Sequence, residues 1–167
     1  MKDRLTQSDI KKMEEEIEYR RVTLRPQLLE HVKTARAHGD LSENFEYKAA
    51  KQEKNRNESR IRYLEKMIKS AVIIDDSARD DEIGINNTVT VEFEDDHTLE
   101  SYKIVTTIRS NSLKGLISIE SPLGKALMGH KAGDKIEVRV DDNISYYVTV
   151  KEIDKSTDDS TDELNSY

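Results

Sequence analysis

The sequence predicts two dissimilar parts: a long antiparallel coiled-coil hairpin of two helices, then a small α+β unit with a mostly antiparallel sheet and one short helix. Three observations predict this. Apolar residues recur at steps of three and four through roughly the first 70 positions, the signature of an amphipathic helix. After Gly84 the period changes to two, the signature of half-buried strands. A short polar stretch, Gly39-Asp40-Leu41-Ser42-Glu43-Asn44, separates two helical patterns and is short enough to force them antiparallel.

The first pattern covers residues 8–36, with Ser8 as a suitable N-cap and apolar positions at Ile10, Met13, Ile17, Leu24, Leu28, Val32 and Ala35. Pro26 lies inside it and removes a backbone donor, so a local kink is expected there. The second pattern is cleaner. Tyr47, Ala50, Lys54, Asn57, Ile61, Leu64 and Ile68 alternate steps of three and four without a break, a seam with a polar centre at Lys54 and Asn57. The hairpin is assigned to residues 1–74 with its tip at 39–44. Residues 75–83 are acidic and read as a linker. Strands are expected at 88–94, 99–108, 115–120, 135–140 and 146–153, within a globular part at 84–153. Ser121-Pro122 opens a helix over 122–128 that Gly129 closes, since Ser at the N-cap, Pro at the first helical position and Gly past the end are ordinary helix punctuation. Residues 154–167 carry little apolar content and read as a disordered acidic tail.

Charged residues make up 37% of the chain and mean hydropathy is -0.80, too polar for one large core and suited to an exposed hairpin plus a small globular part. Cysteine is absent, which excludes disulfides and thiolate metal sites and suits a reducing cytoplasm. No run approaches the ~20 apolar residues of a membrane span, and residues 1–20 lack the apolar core of a secretion signal. The net charge of -7 is unevenly spread: residues 1–74 hold 17 basic and 13 acidic side chains, residues 75–167 hold 10 and 21. A basic half can meet phosphates or an acidic protein face, while the acidic half repels nucleic acid.

Candidate chemistry concentrates at the turn. Asp40 and Glu43 are three residues apart at the end of a long finger. Two carboxylates can bind a hard cation such as Mg²⁺, but Mg²⁺ takes six oxygens, so another molecule must complete the shell. The same spacing also suits a capping box at the start of the second helix. Gly39, Ser42, Asn44, Phe45 and Tyr47 would support the tip. Phe45 lies outside the seam; it could staple the turn against the first helix, the preferred reading, or stack on a base. Lys48, Arg62 and Lys69 share one heptad position and, with Lys51, form a basic face that could track a nucleic-acid backbone or simply be solvated. The second half offers no catalytic constellation: His97 and His130 fall in turns with no evident partner.

Gly39-Asp40-Leu41-Ser42-Glu43-Asn44, Glu46-Tyr47 and Ala49-Ala50-Lys51, then Ile61 to Ile74, and in the second half Ile117-Ser118, Ser121-Pro122-Leu123-Gly124-Lys125-Ala126-Leu127 and Gly133-Asp134, resemble the Gre transcript-cleavage factors of bacterial RNA polymerase, of the GreA type. The resemblance runs from about residue 5 to 153. It implies an antiparallel coiled coil joined to an FKBP-like β domain, acting as a monomer in the cytoplasm with no membrane association. It implies docking of the β domain at the polymerase secondary channel through Ser121, Pro122 and Leu123. It also implies insertion of the hairpin and a catalysis-assisting role for Asp40 and Glu43. These would hold a shared Mg²⁺ and the attacking water while the polymerase cleaves the nascent RNA 3′ end. No cofactor of the chain's own is implied, nor an enzymatic activity of its own. An inhibitory paralogue, a prolyl isomerase and a plain coiled-coil adaptor are the rival readings. Phe45 departs from the family, which usually carries a small residue there, and the Lys54–Asn57 segment is more polar than usual.

Overall fold

The computed structural model describes residues 3–39 and 44–166. The chain divides into two compact units. One is the hairpin, Ile10–Ala71; the other joins Arg4–Asp9 to the chain from Val72 onward.

In the first unit, helix α1 (Gln7–Tyr19) leads into a π turn at Arg20–Leu24 and then into α2 (Arg25–Arg36); α3 (Phe45–Ser70) returns alongside. Pairings fix the antiparallel sense, because Glu16 meets Arg60, Arg20 meets Asn57, and Ala35 meets Asn44. The predicted stripe is the buried one: Met13, Ile17, Leu28 and Ala35 on one side, and Ile61 and Leu64 on the other, are all buried. Met67 rather than Ile68 is the deeper residue at the far end of α3. A helix of 3.6 residues per turn drifts away from a strict 3.5-residue seam.

The irregularity expected at Pro26 lies one turn earlier and has a specific form. Pro26 has no N–H to give the preceding turn. The helix responds by widening: the Arg25 N–H donates to the carbonyl of Arg20, five residues back. Asn57, 3% exposed, locks that widened turn from the opposite helix. Its Nδ2 donates to the same Arg20 carbonyl at 3.2 Å, and its Oδ1 accepts from Arg20 Nη1 at 2.9 Å. Asn57, one of the two polar residues at the centre of the seam, is therefore paired across the hairpin. Glu16 extends the network, its Oε2 accepting from Arg20 Nε and from Arg60 Nε, both at 2.8 Å. Arg25 adds a two-pronged bridge to Glu58, at 2.6 and 2.7 Å, a fork geometry that fixes orientation as well as charge.

In the second unit, β1 (Arg4–Leu5) pairs in parallel with β2 (Val72–Ile73). Arg4–Asp9, placed in the hairpin on sequence grounds, therefore cluster with the sheet; the β-like run Ala71-Val72-Ile73-Ile74 contains β2, whereas two-residue β1 carries too little pattern to be read. The main sheet contains β3 (Thr88–Phe93), β4 (Leu99–Val105), β5 (Leu116–Ser118), β6 (Lys135–Arg139) and β7 (Ser145–Asp154), in the order β5-β4-β3-β7-β6. Neighbours are antiparallel except β4 and β5, which run parallel. Alternate residues Val89, Val91, Ile104, Ile136, Val138, Val148 and Val150 form the buried face, covered by Leu123 and Leu127 of α4 (Pro122–Leu127). Ile83, read as linker, is 1% exposed and belongs to this core. Gly124 must lack a side chain, since a Cβ there would lie 2.0 Å from the Ser118 carbonyl oxygen.

A buried charge cluster also organises this unit. Arg109 is fully buried. Its Nε donates to Asp9 Oδ1 at 2.5 Å, and its Nη1 donates to Asn86 Oδ1 and Asp162 Oδ2, both at 2.8 Å. Asp9 also accepts from Thr106 Oγ1 at 2.7 Å and from the Thr6 N–H at 3.0 Å. This turns Thr106 and Arg109 inward and ends β4 at Val105. Asp162 binds Lys103 Nζ at 2.9 Å as well, and the Asn165 N–H donates to the Ile108 carbonyl at 2.7 Å. The residues read as a disordered tail are thus held against the sheet unit, because a fully buried guanidinium requires carboxylate partners. Asp162 is one of them.

Burial pushes the Glu16 carboxyl up, but the hydrogen bonds and charges of Arg60 and Arg20 outweigh it and leave its pKa below the ordinary 4.5. A carboxyl depressed in the folded state stabilises fully above its unfolded pKa, and that contribution is lost as pH falls through the folded value. Glu16→Gln should therefore lower hairpin stability at neutral pH, and by less at an acidic pH below 4.5, as the depressed folded value is approached. Urea unfolding followed by helical circular dichroism at both pH values checks this; a gap that does not change with pH would contradict it.

Candidate functional site

The candidate site is the turn of the hairpin and the helix ends that carry it. Asp40, Leu41, Ser42 and Glu43 lie outside the described residues, so the geometry begins at the residues on either side. Gly39 has φ of 135°, a backbone conformation open to glycine and rare for other residues. On the other side, Asn44 has an extended backbone and is the N-cap of α3.

Asn44 does two things with one amide. Its Oδ1 accepts from the Tyr47 N–H at 3.0 Å, satisfying an unpaired donor of the first turn. Its Nδ2 donates to the Ala35 carbonyl at 2.7 Å, near the end of α2, which also accepts from the His38 N–H at 3.2 Å. Only an amide side chain of this length offers both an acceptor and a donor there. The capping box considered for Asp40 and Glu43 lies outside the described residues; α3 starts at Phe45, and Asn44 caps it. The first helix residue after an Asn, with Tyr three positions beyond that Asn, was the signal available in the sequence.

The next turn is basic and aromatic. The Arg36 guanidinium lies 5.6 Å from the centre of the Tyr47 ring, and its Nη2 reaches the Tyr47 hydroxyl at 3.4 Å. That hydrogen bond from Arg36 is the main reason the Tyr47 phenol titrates below its ordinary 10.0, with smaller help from the charges of Arg36, Lys51 and Lys54. Sequence reasoning did not find Arg36, because its pairing with Tyr47 exists only once α2 and α3 are antiparallel. Phe45 is 80% exposed. Stapling against the first helix, the preferred sequence reading, does not occur; the Lys48 ammonium sits 5.8 Å from the ring centre instead.

On the basic face, Lys48, Lys51, Arg62 and Lys69 are all exposed, with Arg62 Nη2 donating to Ser59 Oγ at 3.2 Å. Arg60 behaves differently, being 8% exposed and pairing with Glu16. The docking trio divides in the same way. Pro122 is exposed. Ser121 caps α4, its Oγ accepting from the Gly124 N–H at 3.1 Å and donating to the Ser118 carbonyl at 2.6 Å. Leu123 is 9% exposed and belongs to the core. His130 Nδ1 lies 3.0 Å from Asp134 Oδ2, which also accepts from the Lys131 N–H, so this pair braces a turn. Among the described residues no group of three His, Asp or Glu is placed to hold a metal ion, and no helix is long and apolar enough to cross a membrane.

Together these features define a two-unit chain: a helical hairpin whose turn carries acids and whose shoulder carries cations, and a separately cored five-stranded sheet unit. Comparison with known proteins specifies the class. Residues 4–73 match the model of the transcription elongation factor N-terminal domain, and residues 78–155 match that of the GreA/GreB C-terminal domain. The chain is 43% identical over 159 residues to transcription elongation factor GreA of Lachnoclostridium phytofermentans, covering 93% of this chain and 97% of that protein. It is 41% identical over 149 residues to GreA of Macrococcus caseolyticus, covering 89% and 94%. Among solved structures, the GreA factor homolog 1 protein of Thermus thermophilus is similar over 92% of this chain and 99% of its own, at 27% identity and a TM-score of 0.42. The chain belongs to the GreA/GreB family of transcription elongation factors.

If Asn44 joins the two helix ends, Asn44→Ala should destabilise the hairpin by about 1–2 kcal/mol. Asn44→Asp keeps the acceptor for Tyr47 and loses the donor to Ala35, so it should fall between the two. Thermal unfolding of the three proteins checks the ranking; an aspartate variant as unstable as the alanine one would contradict it.

Proposed function

We propose that this chain is a bacterial transcription elongation factor that enters the secondary channel of RNA polymerase and stimulates cleavage of the 3′ end of backtracked RNA. The observation that carries the reading is the division of labour at the turn. Asn44 caps α3 and closes the hairpin. The start of α3 thus has its cap in Asn44, and acids at the end of a stalk suit use in another molecule's cavity. Helix α3 has 26 residues, which at ~1.5 Å per residue gives a stalk of about 39 Å.

In this reading Asp40 and Glu43 hold a Mg²⁺ jointly with polymerase carboxylates. Two side chains fill only part of a six-oxygen shell, so the site forms only inside the complex. When bound, such an ion lowers the pKa of a water and offsets charge on the phosphodiester under attack. The chain's own groups position that water and add negative charge where the ion binds. Lys48, Lys51, Arg62 and Lys69 face the phosphates of the nucleic acid in the channel, and exposed Pro122 beside the Ser121 cap forms part of the docking surface. The hydrolytic centre is the polymerase's; this chain completes it.

The test is a stalled, backtracked polymerase carrying 3′-labelled RNA. Wild type should accelerate cleavage, and Asp40→Asn should lose about 100-fold of that acceleration while changing stability by less than about 0.5 kcal/mol. Equal acceleration by both proteins would refute the role of Asp40. No acceleration by wild type would refute the function.

A further inference from the structure

Two aromatic rings stand beside the turn, and the structure treats them differently. Tyr47 is half-buried and engaged by Arg36 at both ring and hydroxyl. Phe45 is 80% exposed, in a chain whose other phenylalanine, Phe93, packs against the sheet core. Phe45 is the first residue of α3 and follows Asn44 directly, so its backbone is held by the two hydrogen bonds that fix the helix start. The ring is thus presented to solvent from a fixed position. Lys48, one turn along, lies 5.8 Å from its centre, and exposed Lys51 follows one turn beyond.

A large apolar ring left in water contributes no packing to the hairpin. Set beside cations on a rigid element, it has the composition of a single-strand nucleic-acid platform, in which a base stacks on the ring and ammonium groups meet the backbone phosphates. Resting on the function proposed above, we propose that Phe45 stacks on the unpaired base at the RNA 3′ end, with Lys48 and Lys51 facing its phosphates. Phe45 is a positioning residue: it holds the terminal nucleotide without touching the bond that breaks. Stacking strength rises with the area of the base, so a 3′ purine is held better than a 3′ pyrimidine.

Two backtracked complexes that differ only in the 3′ base, adenine or uracil, test this with wild type, Phe45→Tyr, Phe45→Leu and Phe45→Ala. Wild type and Phe45→Tyr should act at lower factor concentration on the adenine complex. Phe45→Leu and Phe45→Ala should need about tenfold more factor for half-maximal rate and should lose the preference for adenine. Circular dichroism identical to wild type is expected for all three variants, since the side chain is exposed. Phe45→Leu matching wild type, or a concentration shift that is the same for both bases, would overturn the stacking role while leaving the elongation-factor reading intact. Absence of acceleration by wild type on both complexes would overturn that reading and this inference with it.

Discussion

The hairpin closes on one side chain. Asn44 gives its oxygen to the first turn of α3 and its nitrogen to the last turn of α2, so a single amide settles a donor at one helix end and an acceptor at the other. Without it the Tyr47 N–H would lose this partner and the Ala35 carbonyl would keep only the His38 N–H. The cap of α3 thus lies outside the acidic pair, on the residue that follows it. Phe45, fixed by the same joint, inherits a defined position from it.

Polar pairing does much of the work that apolar burial does in more hydrophobic chains. Only 35% of the residues are hydrophobic. The hairpin is held in register by Asn57 on the Arg20 carbonyl and by Glu16 between Arg20 and Arg60. The sheet unit is held around Arg109, which gathers Asp9 from near the start of the chain and Asp162 from near its end. Such clusters add specificity rather than bulk stability, because desolvating the charges offsets much of their attraction. A slipped hairpin would leave the Arg20 carbonyl and the Arg60 guanidinium facing apolar seam residues.

What could be read in advance followed from periodicity. The seam of the hairpin, the alternating strands and α4 all repeat often enough to be visible, and Ser121-Pro122 announced the helix start by local chemistry alone. Features that depend on two distant segments were not visible. The two-residue pairing of Arg4–Leu5 with Val72–Ile73, the Arg36–Tyr47 contact and the seat of Asp162 on Arg109 have no period and no local motif. The π turn was half legible: Pro26 signalled an irregularity, but its position depended on Asn57, which sits on the other helix. At the candidate site the acids stood out by position, whereas Asn44 did not stand out as the cap, because Asp and Asn both suit a helix start.

The division of labour at the turn is tested most directly by amide hydrogen exchange across residues 45–48 in the Asp40→Asn, Glu43→Gln double variant. If Asn44 alone holds the helix start, those amides should exchange at the wild-type rate although both carboxylates are gone. Exchange accelerated to the level seen in Asn44→Ala would show that the acids hold the helix themselves, and the account would fail.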